Sequence, residues 1–173
     1  VTPRTAGFNT ADFSQLSASG QMLTIILMLI GGSPGSTAGG MKTTTLAVLT
    51  ATAVSVFRRN ENPELFKRRI APETVANAAS ILMMYLSLCL TGAFLISRIE
   101  ELPMMACMFE TASAVGTVGL SFGITPGLGS ISRIILIILM YLGRVGGLTL
   151  IYAALSGHRI RFGKYPLEKI TVG

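Results

Sequence analysis

Two short turns hold the residues best suited to chemistry in this sequence. Thr5-Ala6-Gly7-Phe8 and Thr117-Val118-Gly119-Leu120 share the pattern Thr-x-Gly-apolar. Glycine lets the backbone turn its carbonyl oxygens toward one point, where they can replace the water shell of a cation. A single Thr-x-Gly occurs in any loop, so the pair counts more than either member. The interval between the two threonines also carries Met28-Leu29-Ile30-Gly31 onto Met140-Tyr141-Leu142-Gly143 without a gap. The chain therefore holds an internal repeat: a glycine turn followed, at equal distance, by a glycine-interrupted apolar helix.

Other candidates surround these turns. Gly31-Gly32-Ser33-Pro34-Gly35-Ser36-Thr37-Ala38-Gly39-Gly40 interrupts a long apolar stretch and is followed by Met41-Lys42-Thr43. Gly35 to Lys42 is close to a phosphate-binding loop, but Met41 separates glycine from lysine and the preceding run is no strand, so a nucleotide site is set aside. Lys42 then faces an inner water-filled vestibule or caps the loop. Arg144 stands in an apolar run, where arginine costs about 2.5–3.5 kcal/mol at the centre of a membrane helix. It either partners a carbonyl or carboxylate or places a positive charge in an ion path, and the second reading is favoured. Glu110 either attracts cations or supports a neighbouring turn through hydrogen bonds; the support role is preferred, and Glu110 is left out of the ion site. Arg4 is read as a structural clamp. Met22, Met28, Met83, Met84 and Met140 are packing or lipid-facing residues. His158 has no nucleophile or acid partner, and Cys89 and Cys107 lack metal-ligand spacing. No catalytic constellation, disulfide or zinc site is expected, and the protein is not read as an enzyme.

The elements that must position these residues lie in a membrane. Of 173 residues, 50% are hydrophobic and 13% charged, against about 25% charged in ordinary globular domains. Mean hydropathy is +0.63. Too few charges remain to disperse a soluble surface, and the composition fits neither a disordered nor a collagen-like chain. The net charge of +6 comes largely from Arg58, Arg59, Lys67, Arg68 and Arg69 and from Arg159, Arg161, Lys164 and Lys169. Phe66, Phe162 and Tyr165 stand among them, but the placement of both clusters beside apolar runs favours membrane anchoring, so nucleic acid is not expected. Both clusters follow apolar runs, as cytoplasmic anchors do. Val1 to Phe8 has no signal-peptide pattern.

Charge-free runs predict an all-α polytopic membrane protein. Residues 74–97 and 131–156 read as plain spanning helices, long enough for a hydrocarbon core of about 30 Å. Residues 19–57 read as helix, irregular loop, helix, because non-helical backbone at membrane depth survives only inside protein or beside water. The segment from Pro103 to about Val115 opens on proline and reaches only about 20 Å, so it reads as a re-entrant helix. Lys and Arg counts put 58–72 and 157–173 in the cytoplasm and 98–130 outside. Residues 1–72 form one unit: the end of a filter loop, a broken helix and a linker. Residues 73–173 form the next: outer helix, short helix, turn, inner helix and tail.

In combination these motifs resemble the Ktr/Trk/HKT potassium transporters, closest to the bacterial Ktr-type pore subunit, in its C-terminal half. Pro3-Arg4-Thr5-Ala6-Gly7-Phe8-Asn9 is similar to that family's third filter loop. Phe109-Glu110 and the stretch from Ser113 to Ser121 are similar to the fourth pore helix and filter. Gly31 to Lys42 resembles the intramembrane gate loop, Gly143-Arg144-Val145-Gly146-Gly147 the last inner helix, and Tyr165-Pro166 to Gly173 the family's C-terminus. The resemblance implies potassium uptake across the plasma membrane through a pseudo-fourfold, channel-like pore, with sodium dependence left open. It implies backbone carbonyls of residues 5–8 and 117–120 as filter. The implied gate comprises Gly31, Gly32, Ser33, Gly35, Ser36, Thr37, Gly39, Gly40, Lys42 and Arg144. A homodimer, membrane lipid and a cytoplasmic nucleotide-binding regulatory subunit are the implied partners, with nucleotide on that subunit and no cofactor on this chain. The family builds one pore from four repeats, of which this sequence carries fewer than two, so a fragment is expected. One rival is a secondary transporter with broken helices and a midplane substrate site; others are an ATP-using membrane enzyme and a purely structural subunit.

Overall fold

The computed structural model describes residues 5–8, 13, 16–36, 38–59, 63–65 and 68–146. Arg4, Thr37, Lys67, Gly147, His158 and the basic tail lie outside the described residues.

Five helices make up most of the described chain. Helix α1, Ala18–Ile30, starts where the Ser17 hydroxyl accepts a hydrogen bond from the Gly20 amide at 3.3 Å, satisfying one of the free N–H groups of the first turn. It stops at Gly31, whose φ of 61° lies in the left-handed region that side chains disfavour. Helix α2, Thr43–Phe57, resumes beyond the loop, so the expected helix–loop–helix is present. Helix α3, Pro72–Glu100, runs unbroken for 29 residues with proline in its first turn. Its length of about 44 Å exceeds a hydrocarbon core. Among the described residues it is the one helix long and apolar enough to cross a membrane; α1 and α2 are shorter apolar helices. Helix α4, Met104–Gly116, has 13 residues and follows Pro103, matching the short helix expected there.

Two expectations need correction. The linker contains a small antiparallel hairpin, β1 (Glu64–Leu65) on β2 (Arg68–Arg69), pairing Glu64 with Arg69 and Leu65 with Arg68. Opposite charges thus face each other across the ladder, and the described chain is mostly rather than entirely helical. Helix α5, Ser130–Val145, ends much earlier than residue 156: Gly146 leaves the helix at φ 89°. An uninterrupted 131–156 helix is therefore not what forms. Arg144 consequently sits in the last turn of α5 rather than near a helix middle.

Packing centres on α4, which contacts α1, α3 and α5, while α2 lies on α3. All of its residues from Phe109 to Gly116 are buried. One cluster joins Tyr85, Ala93 and Ile96 of α3 to Val115, Leu136 and Leu139; another joins Ile25 and Met28 of α1 to Phe109, Val118 and Leu120. Small residues set the spacing. A Cβ on Gly143 would fall 2.0 Å from the Val115 carbonyl oxygen, and one on Gly92 would fall 2.7 Å from Leu139. The Tyr85 hydroxyl donates to the Gly143 carbonyl at 3.3 Å, tying α3 to the same point of α5. Cys89 and Cys107 are both buried and unbridged.

Candidate ion-path site

Helix α4 ends at Gly116 among buried residues, and its end creates the second glycine turn. Thr117 takes a left-handed φ of 51° as the C-cap. The Thr117 amide donates to Ala114 at 3.1 Å and the Val118 amide to Ser113 at 2.9 Å. Gly119 follows at φ 85°. Val118 and Leu120 turn their side chains into the core, where they are 3% and 4% exposed, whereas Gly119 between them is exposed. The first turn begins the same way, with Thr5 at φ 53°.

The two turns meet although more than a hundred residues separate them along the chain. A Cβ on Gly7 would fall 2.8 Å from the carbonyl oxygens of both Val118 and Gly119. Only glycine fits so close to another backbone. Phe8 does not join them; its side chain is 85% exposed. Helices α1 and α5, starting at Ala18 and Ser130, follow Thr5 and Thr117 at matching distances.

The 31–42 loop packs against the end of α4. A Cβ on Gly39 would fall 2.0 Å from the Thr117 hydroxyl, and Gly116 approaches the Met28 carbonyl comparably. Gly31, Gly32, Gly39, Gly40 and Met41 are buried, whereas Ser33, Pro34, Gly35 and Ser36 are exposed. The base is stitched by Met41 N donating to Leu29 at 3.2 Å and Thr43 N donating to Gly32 at 3.1 Å. Of the two expectations for Lys42, capping is what occurs: its Nζ donates to the carbonyls of Ser36 and Ala38. The Thr117 hydroxyl is buried and has no hydrogen-bond partner among the described residues.

Arg144, Glu110, Thr117, Gly119 and Leu120 line one cavity of about 510 Å³, together with the apolar Leu136 and Met140. Glu110 is 5% exposed and fully engaged. Its Oε1 accepts from the Ser121 hydroxyl at 2.6 Å and the Phe122 amide at 3.0 Å, and its Oε2 from the Thr125 hydroxyl at 3.0 Å. The hydrogen-bonding role expected for Glu110 is therefore what the geometry shows. Glu100 does similar work at the end of α3, accepting from the Gly129 amide at 2.8 Å and the Ser132 hydroxyl at 2.6 Å. Sequence reasoning passed over Thr125, Glu100 and Ser132. Thr125-Pro126-Gly127 carries a turn signature, but nothing in its spacing names the carboxylate it meets. No group of three or more His, Cys, Asp or Glu among the described residues could hold a metal ion by side chains.

Comparison with known proteins identifies the family. The chain is 42% identical over its whole length to the potassium/sodium uptake protein NtpJ of Enterococcus hirae, of which it covers 40%. It is 37% identical to the Ktr system potassium uptake protein B of Bacillus subtilis, again over its whole length and 39% of that protein. With the Ktr system potassium uptake protein D of the same organism the identity is 34%, over 98% of this chain and 38% of that one. The chain thus spans about 40% of the length of the curated relatives it matches. The TrkH family model, described as cation transport protein, matches residues 1–159. This chain belongs to the TrkH family of cation transport proteins.

Proposed function

We propose that the chain is the C-terminal part of a membrane protein that takes up potassium, with the carbonyls of residues 5–8 and 117–120 lining the ion path. One observation carries the reading: Gly7 presses against the carbonyl oxygens of Val118 and Gly119, so both glycine turns belong to one oxygen-rich site. The names of the relatives, potassium uptake proteins of the Ktr system and a potassium/sodium uptake protein, support potassium as the substrate. A potassium ion sheds its water there because fixed carbonyl dipoles replace it. In the whole protein, further glycine turns upstream complete the ring in a pseudo-fourfold pore.

The 31–42 loop acts as the gate, with its buried base against Thr117 and its exposed tip available to move. Arg144 places a positive charge on the cavity that also contains Thr117 and Gly119, opposing cation passage while the gate is shut. The protein is multi-pass in the plasma membrane, with the basic 58–72 linker and the C-terminus in the cytoplasm. A second copy and a cytoplasmic nucleotide-binding subunit complete the assembly; nucleotide binds that subunit, and this chain performs no enzymatic chemistry.

Gly119→Ser in the full-length protein tests the filter. A side chain at φ 85° costs about 1–2 kcal/mol, so the carbonyls shift. Uptake of potassium and sodium is compared in cells lacking their own potassium uptake. Discrimination between the ions should fall; an unchanged ratio removes Gly119 from the ion path.

A further inference from the structure

We propose that Glu110 is a positioning residue for ion selectivity, holding the far end of the 117–120 turn at a fixed distance from α4. The inference rests on the reading of that turn as ion path. One end of the turn is held by α4 itself, through the amides of Thr117 and Val118 on the carbonyls of Ala114 and Ser113. Glu110 lies one helical turn earlier and reaches past these residues to Ser121, Phe122 and Thr125. Residues 117–120 are thus clamped at both ends by the same helix. Selection between two cations of equal charge depends on where the oxygens sit, so slack at either end degrades it.

The bonds form one closed network. Ser121 Oγ donates to Glu110 and accepts from the Gly123 amide at 2.8 Å, and it lies 3.2 Å from the Thr125 hydroxyl. Phe122 packs at a tilt against Phe109 with ring centroids 4.0 Å apart, which seats the segment but leaves its polar edge to Glu110. Reach matters here more than charge. Glutamine keeps the length of glutamate: its oxygen can accept from Ser121 and Phe122, and its amide can donate to Thr125, whose hydroxyl then turns toward Ser121. Aspartate keeps the charge but is one methylene short.

The test compares Glu110→Gln, Glu110→Asp and Glu110→Ala in the full-length protein, reading the ratio of potassium to sodium uptake at equal protein in the membrane. Glutamine should keep the parent ratio, while aspartate and alanine should lower it about tenfold, the scale of one lost hydrogen bond to a charged group. If alanine fails to insert, Ser121→Ala combined with Thr125→Val, which leaves Glu110 in place, should lower the ratio instead. Aspartate behaving like the parent while glutamine behaves like alanine overturns the inference, because charge would then be what matters. A parent-like ratio in aspartate and alanine, or in the double variant, also overturns it. Gly119→Ser run in parallel separates the two failures: if it shifts the ratio and the Glu110 series does not, only the positioning role falls.

Discussion

Gly143 shows how one missing side chain sets helix spacing around the site. Its Cβ position lies 2.0 Å from the carbonyl oxygen of Val115, so α5 meets the backbone of α4 with nothing between them. Neither side of that contact can swing aside as the end of a flexible side chain could. Overpacking in a core typically costs about 1–3 kcal/mol, and a clash with fixed backbone belongs at the upper end. Gly143→Ala in the full-length protein should therefore lower thermal stability in detergent and displace Arg144, the next residue, from the cavity. A melting temperature equal to the parent's would show that α4 and α5 separate freely. Gly143 was identified from the sequence as part of a repeat, but its contact with Val115 was not legible. Residue spacing along one helix says nothing about which carbonyl of another helix lies opposite.

At the scale of elements, the 31–42 loop joins a buried base to an exposed tip. Five glycines and a proline within Gly31 to Gly40 are poor helix material, each glycine costing about 1 kcal/mol and proline about 3 relative to alanine. The base is nonetheless held, by the Met41 and Thr43 amides and by Lys42 on the carbonyls of Ser36 and Ala38. Ser33 to Ser36 are not enclosed; beyond its chain neighbours, no atom of the described residues lies within 4 Å of where a Cβ on Gly35 would be. Deleting residues 33–39 in the full-length protein should leave a folded pore with higher basal flux and a weakened response to the cytoplasmic subunit, measured in liposomes with and without it. Parent-like flux that the subunit still switches would make the loop a packing feature only. This break, like the short α4, was legible because glycine clusters and an opening proline act locally. The 64–69 hairpin was not, since strands of two residues carry no alternation. The end of α5 was missed because Gly146 sits in an apolar run that composition alone reads as continuous.

At the scale of the whole molecule, many large apolar side chains among the described residues face outward. On α5, Ile131, Ile134, Ile138 and Tyr141 form an exposed stripe at helical spacing, and Leu23, Ile26 and Phe94 are exposed on α1 and α3. Such a surface requires lipid or further protein around it. The proposed orientation puts the 117–129 connection outside and the hairpin in the cytoplasm. Gly127 is well suited to reporting the first, because a Cβ there meets no atom of the described residues within 4 Å beyond its chain neighbours. Gly127→Cys in intact cells should react with a membrane-impermeant maleimide, whereas Arg69→Cys should react only after permeabilisation; the reverse pattern would invert the topology. The burial of Cys89 and Cys107 makes that experiment practical. The chain's own two thiols are shielded from aqueous reagents, so in this part of the protein an introduced cysteine is chemically conspicuous against a silent background. The region can be mapped by labelling, one position at a time, without first mutating its native cysteines.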